Sequence, residues 1–184
     1  MTREEALKLL KENLQNQNLI KHSLAVEAIM RALAQHFNED EEKWGLVGLL
    51  HDIDYEKTKG DPVQHSMIGA QMLKDLGLED DVCRAVKVHN EAHSIPPQTL
   101  MEKALYVADP LTGLIVAATL VLPSKKIADL ETESILKRFK EKTFAKGANR
   151  EIIKKCEDYL NLSPKDFVEI GKNAMQEISD DIGL

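Results

Sequence analysis

A chain of 184 residues is long enough for one domain that buries a substantial core without covalent staples. Hydrophobic residues at 43% and charged residues at 30% are ordinary for a globular protein, and a formal charge of -7 argues against general nucleic-acid binding, which leaves a basic footprint. Cys83 and Cys156 are too far apart for metal-site spacing and read as reduced core thiols of a cytoplasmic protein.

The N-terminal stretch Met1-Thr2-Arg3-Glu4-Glu5 is too acidic for a signal peptide and has capping-box form. Ala6, Leu7, Leu10 and Leu14 follow at helical spacing. Asn18 is the expected cap of a second helix, with Leu19, Leu24, Val26, Ile29, Met30, Leu33 and Phe37 as its apolar set and His22 near its start. Asn38 to Asp40 reads as a turn, and Asp40 as the cap of a helix over Trp44-Gly45-Leu46-Val47-Gly48-Leu49-Leu50 that ends in His51-Asp52. Tyr55 to Gly60 is a charged connection. Asp61-Pro62 predicts a helix start that carries His65 on towards Leu76, stopped by Gly77. A further helix is expected from Glu79 to His89, then a loop with Glu91 and His93. A long apolar helix follows from about Thr99 to Leu122, kinked at Pro110 beside Asp109. No uninterrupted apolar run reaches about 18 residues, so no membrane span is expected.

Pro123-Ser124 marks a boundary. Beyond it Lys125, Lys126, Lys137, Arg138, Lys140, Lys142, Lys146 and Arg150 form the basic part of an acidic chain. Its helices are expected over 131–140, 149–160 and 164–181, the last opening on the Ser163-Pro164-Lys165-Asp166 capping box. No alternating run predicts a strand. The class is all-α: residues 1–122 as a helical bundle, and residues 123–184 as a basic helical extension packed on the same domain.

His22, His51, Asp52, His65, His89 and Asp109 stand at the ends or on the apolar faces of these helices. Singly, each reads as a rim residue or a cap. Together they are the donor set that helical bundles use to hold metals from facing helices. Imidazole and carboxylate without thiolate suit Mn, Fe, Co, Ni or Zn better than Ca. Six ligands exceed the need of one catalytic ion and would serve two ions, with Asp52 as the bridge beside His51.

The order His22, His51-Asp52, Asp109 resembles the H…HD…D pattern of the HD superfamily of metal-dependent phosphohydrolases, over roughly residues 18 to 122. His51-Asp52-Ile53-Asp54 followed by His65 and His89 is similar to the HDIG-type branch, and the whole chain looks like small stand-alone predicted HD hydrolases. The resemblance implies an all-α HD bundle. It also implies that His22, His51, Asp52 and Asp109 bind metal, with His65 and His89 supplying a second ion. One departure stands out. Asp54 and Tyr55 occupy positions that are Gly and Lys in many relatives, so a phosphate-side cation is expected from elsewhere, with Lys57 and Lys59 as candidates. The Gly-Tyr-Pro signature of cyclic-dinucleotide cleavage is absent.

The implied reaction is hydrolysis of a small phosphorylated substrate, a nucleotide or other phosphate ester, by metal-activated water. Asp54 has two readings: orienting water or protonating the leaving oxygen, or supporting a ligating histidine from behind. Lys59, Glu91 and His93 are candidate substrate contacts, as are Lys142 and Lys146 around Phe144; the alternative for all of them is solvated surface. Two other functions share the ligand set: a di-iron oxygenase of the same fold, and a non-catalytic nucleotide-binding module.

Overall fold

The computed structural model describes residues 1–141 and 143–184; among them every regular element is helical, as the periodicity predicts. Helix α1 (Arg3–Asn13) opens on the expected box, with Thr2 Oγ1 accepting from Glu5 N and the Glu5 carboxylate accepting from Thr2 N. Helix α2 (Gln17–Phe37) starts earlier than expected. Asn16, not Asn18, is its cap, and its side-chain oxygen accepts from Asn18 N. Asp40 caps α3 (Glu41–Leu50), and a single turn, α4 (Tyr55–Thr58), occupies the charged connection.

Helix α5 (Met67–Asp75) corrects the sequence reading. Asp61 does hold a turn, accepting from Val63 N and Gln64 N, but the α-helix begins only at Met67. The chain passes through Ser66 at φ 66°, a left-handed conformation that costs a non-glycine residue about 1–3 kcal/mol. A tertiary contact offsets that cost. The buried Asp54 carboxylate accepts from Ser66 N at 2.8 Å and Gly69 N at 2.7 Å, at the N-terminus of α5 where a negative charge is favoured.

Helix α6 (Asp80–Val88) and α7 (Leu100–Leu120) follow, the latter continuous through Pro110. Helices α8 (Thr132–Phe139), α9 (Arg150–Lys154), α10 (Cys156–Leu160), α11 (Pro164–Glu177) and α12 (Ser179–Ile182) complete the chain. Two expected helices are therefore split, at Lys155 and at Ile178.

One core surrounds α2 and α7, and Ile135, Ile153, Phe167 and Met175 from the C-terminal helices enter it. A second joins Ala6, Leu10, Leu73 and Val86 of α1, α5 and α6. Helix α3 belongs to both, with Trp44 and Val47 in the first and Leu49 and Leu50 in the second. This double burial explains why its sequence shows no polar face. By length and composition α7 is long and apolar enough to cross a membrane, although charged residues interrupt its apolar run; it is the helix on which α2, α6 and α8 to α11 pack.

Helices α2 and α3 meet closely at Gly48, where a Cβ would lie 2.9 Å from the Glu27 backbone and from Val26 O. Glu27 is itself buried and held by Arg3 and Arg31. Gly48→Ala is expected to destabilise the fold by about 1–3 kcal/mol, despite the helix-forming advantage of alanine, because neither backbone can yield. Thermal unfolding checks this; an unchanged Tm would mean that the approach is looser than described.

Candidate metal centre

Four histidines present the same nitrogen to one point. His51 and His89 follow the last residues of α3 and α6, where helix carbonyls lack intrahelical partners. Each ring turns back onto its own helix: His51 Nδ1 donates to Gly48 O at 2.7 Å and His89 Nδ1 to Val86 O at 2.6 Å. His65 Nδ1 donates to Asp54 Oδ1 at 3.0 Å. Thr112 Oγ1 donates to Asp109 O at 2.8 Å and so accepts from His22 Nδ1 at 3.0 Å. With every Nδ1 proton engaged, each neutral ring offers a bare Nε2 lone pair.

Those lone pairs converge on two carboxylates. His22 Nε2 lies 3.2 Å from His51 Nε2 and 3.1 Å from Asp109 Oδ1. Asp52 Oδ1 faces His65 at 3.2 Å, His89 at 3.4 Å and His51 at 3.5 Å, while Oδ2 lies 3.7 Å from His22. His22, His51 and Asp109 form one group of close donors, and His51, Asp52 and His89 another. A buried set of acceptors without donors is unfavourable unless a cation or extra protons enter it. The six residues therefore fit divalent metal, held from facing helices.

Charge in the metal-free cluster is unevenly shared. Burial pushes His51 down to about 4, so its ring is neutral. Burial also opposes charge on His65, but the carboxylates of Asp52 and Asp54 outweigh it and push its pKa up to about 9. His22 is raised too, its burial outweighed by Asp109. Burial would raise the carboxyls of Asp52 and Asp109, yet the surrounding imidazoles hold both below the usual range. In the absence of metal, protons supply part of the missing positive charge.

Other sequence candidates lie elsewhere. Asp54 is wholly buried, and its oxygens accept from Ser66 N, Gly69 N and His65 Nδ1. That geometry corrects the reading as a water-orienting or proton-donating group and leaves the one in which it supports His65 from behind. Lys57 is exposed and its ammonium bonds Asn13 Oδ1 at 2.6 Å, away from the ligands; its catalytic assignment is likewise corrected. Lys59 and Lys146 are exposed. His93 is not a free substrate contact: Nε2 donates to His65 O at 2.8 Å and lies 2.9 Å from Ser66 Oγ. Lys142 lies outside the described residues. Arg150 is spent on the backbone, donating to the carbonyls of Phe139, Phe144, Ala145 and Ala148.

A small cleft of about 210 Å³ adjoins the converging side chains, lined by His65, His89 and Asp109 with Asn90, Glu91, Tyr106, Gly147 and Asn149. Of the sequence candidates for substrate contact among the described residues, Glu91 alone lines this cleft, next to Asn149. Thr112, Ser66, Tyr106 and Asn149 escaped sequence reasoning, since each sits in an apolar helix or loop with no metal-ligand chemistry of its own. A faint signal existed for Thr112, one turn after Asp109 on the same helix.

A family model for the HD domain matches residues 19–114. Ribonuclease Y of Oleidesulfovibrio alaskensis is 30% identical over 140 residues, covering 74% of this chain and 27% of its own length. Ribonuclease Y of Nitratidesulfovibrio vulgaris strain DP4 is 32% identical, with the same coverage. An uncharacterized protein of Methanocaldococcus jannaschii is 31% identical over 163 residues, covering 83% of this chain and 90% of its own. The chain thus spans about a quarter of the ribonuclease Y relatives. No solved structure matches it significantly.

Two outcomes follow from this geometry. Because His65 carries a proton up to about 9, metal uptake near neutral pH should release protons, and affinity should rise with pH towards that value. The metal-free protein should show the opposite trend: the stability contributed by charged His65 is complete below its ordinary 6.5 and lost as pH rises through about 9. Calorimetry in buffers of different ionisation enthalpy counts the protons. Asp54→Asn retains an acceptor for Ser66 N and Gly69 N but turns an amide donor towards His65 Nδ1, which moves the ring proton to Nε2. Metal affinity should fall by about 10–100-fold, and unchanged affinity would remove Asp54 from this role.

Proposed function

The chain belongs to the HD-domain family of metal-dependent phosphohydrolases, and from that premise we propose that it hydrolyses a small phosphate ester, a nucleotide or a related compound. The reading assigns two divalent ions of Mn, Fe, Co, Ni or Zn to His22, His51, Asp52, His65, His89 and Asp109, with Asp52 as the bridge. The observation that carries it is the convergence of four Nε2 atoms on Asp52 and Asp109, a donor set that matches both oxygens of one carboxylate to different histidines.

When bound, such ions acidify water and polarise phosphoryl oxygens. The protein's own groups do the remaining work. Thr112, Gly48 O, Val86 O and Asp54 fix the ring orientation of the four histidines. His22 and Asp109 are the more exposed ligands, with side chains 25% and 31% accessible, so substrate approaches at their edge. Tyr106 lines the adjoining cleft beside Asn90 and Asn149, whose amides are already bonded to the backbone and to Glu91. Burial raises the Tyr106 pKa, so its hydroxyl stays protonated and able to donate. Water adds to phosphorus as the ester P–O bond breaks; the alcohol leaves with one proton of that water.

The relatives named ribonuclease Y act under that name within much longer chains. The cleft of about 210 Å³ and the net charge of -7 favour a small ester over a polymer for this chain. Buried Cys83 and Cys156 accord with a reducing, cytoplasmic setting.

Metal analysis of the purified protein, then a screen of nucleotides and small esters with Mn, Co and other divalent ions, tests the reading. Phosphate release is expected, lost to background in Asp52→Ala. Oxygen consumption by an iron-loaded form without phosphate release would move the assignment to an oxygenase. Failure to bind any metal would leave a non-catalytic module.

A further inference from the structure

A second cavity adjoins the metal centre and is chemically unlike the polar cleft. It measures about 410 Å³, within the range of small-molecule sites. Ala25 of α2, Val116 and Leu120 of α7, and Ile182 beyond α11 give it an apolar wall. His22 and Thr112, one a metal ligand and the other its orienting hydroxyl, form its inner end. Lys21 supplies a cation at its edge, its Nζ 2.8 Å from where a Cβ on Gly183 would lie.

Helix α7 connects the two spaces. Tyr106, Asp109 and Pro110 line the polar cleft, and Gly113, Val116 and Leu120 line the apolar cavity, at the spacing of one helix face. The accessible edge of the metal centre, His22 and Asp109, lies between them. Along the axis, the apolar wall runs from about 6 Å past Asp109 at Gly113 to about 16 Å at Leu120. Gly113 is exposed, and a Cβ there would meet nothing within 4 Å, so the cavity stays open where any larger residue would fill it. Leu120 is 49% exposed at the far end, a cost in water that an apolar ligand would relieve.

We propose that this cavity is the subsite for an apolar arm of the substrate: a phosphate ester whose phosphate sits at the His22–Asp109 edge and whose alkyl or aryl group lies along Gly113, Val116 and Leu120. The inference rests on the phosphohydrolase reading above. Lys21 then faces a polar or anionic substituent near the mouth. The subsite selects by burial of hydrocarbon, so affinity should grow with chain length until the cavity is full.

The test compares ethyl phosphate with hexyl phosphate on the metal-loaded full chain, following inorganic phosphate. Hexyl phosphate should be favoured in kcat/KM by at least about tenfold, chiefly through KM. Gly113→Leu, at a position where a Cβ meets nothing within 4 Å, should melt no lower than wild type and should shrink that preference to within about twofold. Equal kcat/KM for the two esters in wild type, or an undiminished preference in Gly113→Leu, overturns the proposal. If neither these esters nor the nucleotides of the screen release phosphate with any metal, the hydrolase reading has failed separately. Calorimetric binding of the same two esters then decides the subsite: tighter hexyl phosphate binding, weakened by Gly113→Leu, supports it, and equal binding overturns it.

Discussion

Four imidazole lone pairs brought together in a protein interior are the constraint on which the rest of the structure depends. His22 Nε2 and His51 Nε2 stand 3.2 Å apart, and neither ring has its Nδ1 proton to spare. Such an arrangement persists only if the scaffold holds it against its own repulsion, or a cation relieves it. The scaffold's part is visible. Helix α3 is clamped on both sides, by α2 through Gly48 and by both apolar cores, so its last residue cannot swing His51 aside. Helix α7 is fixed by most of its neighbours and carries Asp109 and Thr112 on one turn. Rigidity of this kind keeps a metal site in place before metal arrives.

Asp54 shows how a residue outside the ligand set shapes the site. Its buried charge terminates the turn after Asp61, holds Ser66 in a left-handed conformation, caps α5 and fixes the His65 tautomer. Gly69 permits this: a Cβ there would press within 3.2 Å of the Asp54 carboxylate carbon. His93 then closes the loop from the other side through His65 O. One anion, answered by two backbone amides and an imidazole, thus replaces regular secondary structure between α4 and α5.

Much of this was legible in the sequence where local chemistry decides the outcome. The caps at Thr2, Asp40 and Ser163 announce three helices by themselves, and each helix starts where its cap places it. The six converging His and Asp residues stood out because their residue types are costly inside apolar helices. What escaped was set by contacts distant in sequence. Asp61-Pro62 carries a good local start signal, but Asp54 wins the competition for the backbone amides of 66 and 69. Lys57 looked available for phosphate, but the turn of α4 directs it to Asn13, 44 residues earlier in the chain. Thr112 was invisible because a threonine in an apolar helix commonly satisfies its hydroxyl on its own backbone; here that same bond makes the oxygen an acceptor for His22.

The absence of a lysine at the position after Asp54 has a physical answer in charge balance. Asp54 is buried and its oxygens are taken up by two backbone amides and His65 Nδ1, so it does not present a carboxylate to substrate. Asp52 and Asp109 are then the two carboxylates of the ligand set, the four other members being neutral imidazoles once metal displaces their protons. Two divalent ions on two carboxylates would leave the centre with excess positive charge, largely screened from solvent by burial of His51, Asp52 and His89. A phosphate dianion is the complement of such a centre. The ions would carry the role that a flanking lysine plays elsewhere, which frees the surroundings to discriminate by other means: neutral polar groups towards Tyr106 and Asn149, hydrocarbon towards Val116 and Leu120.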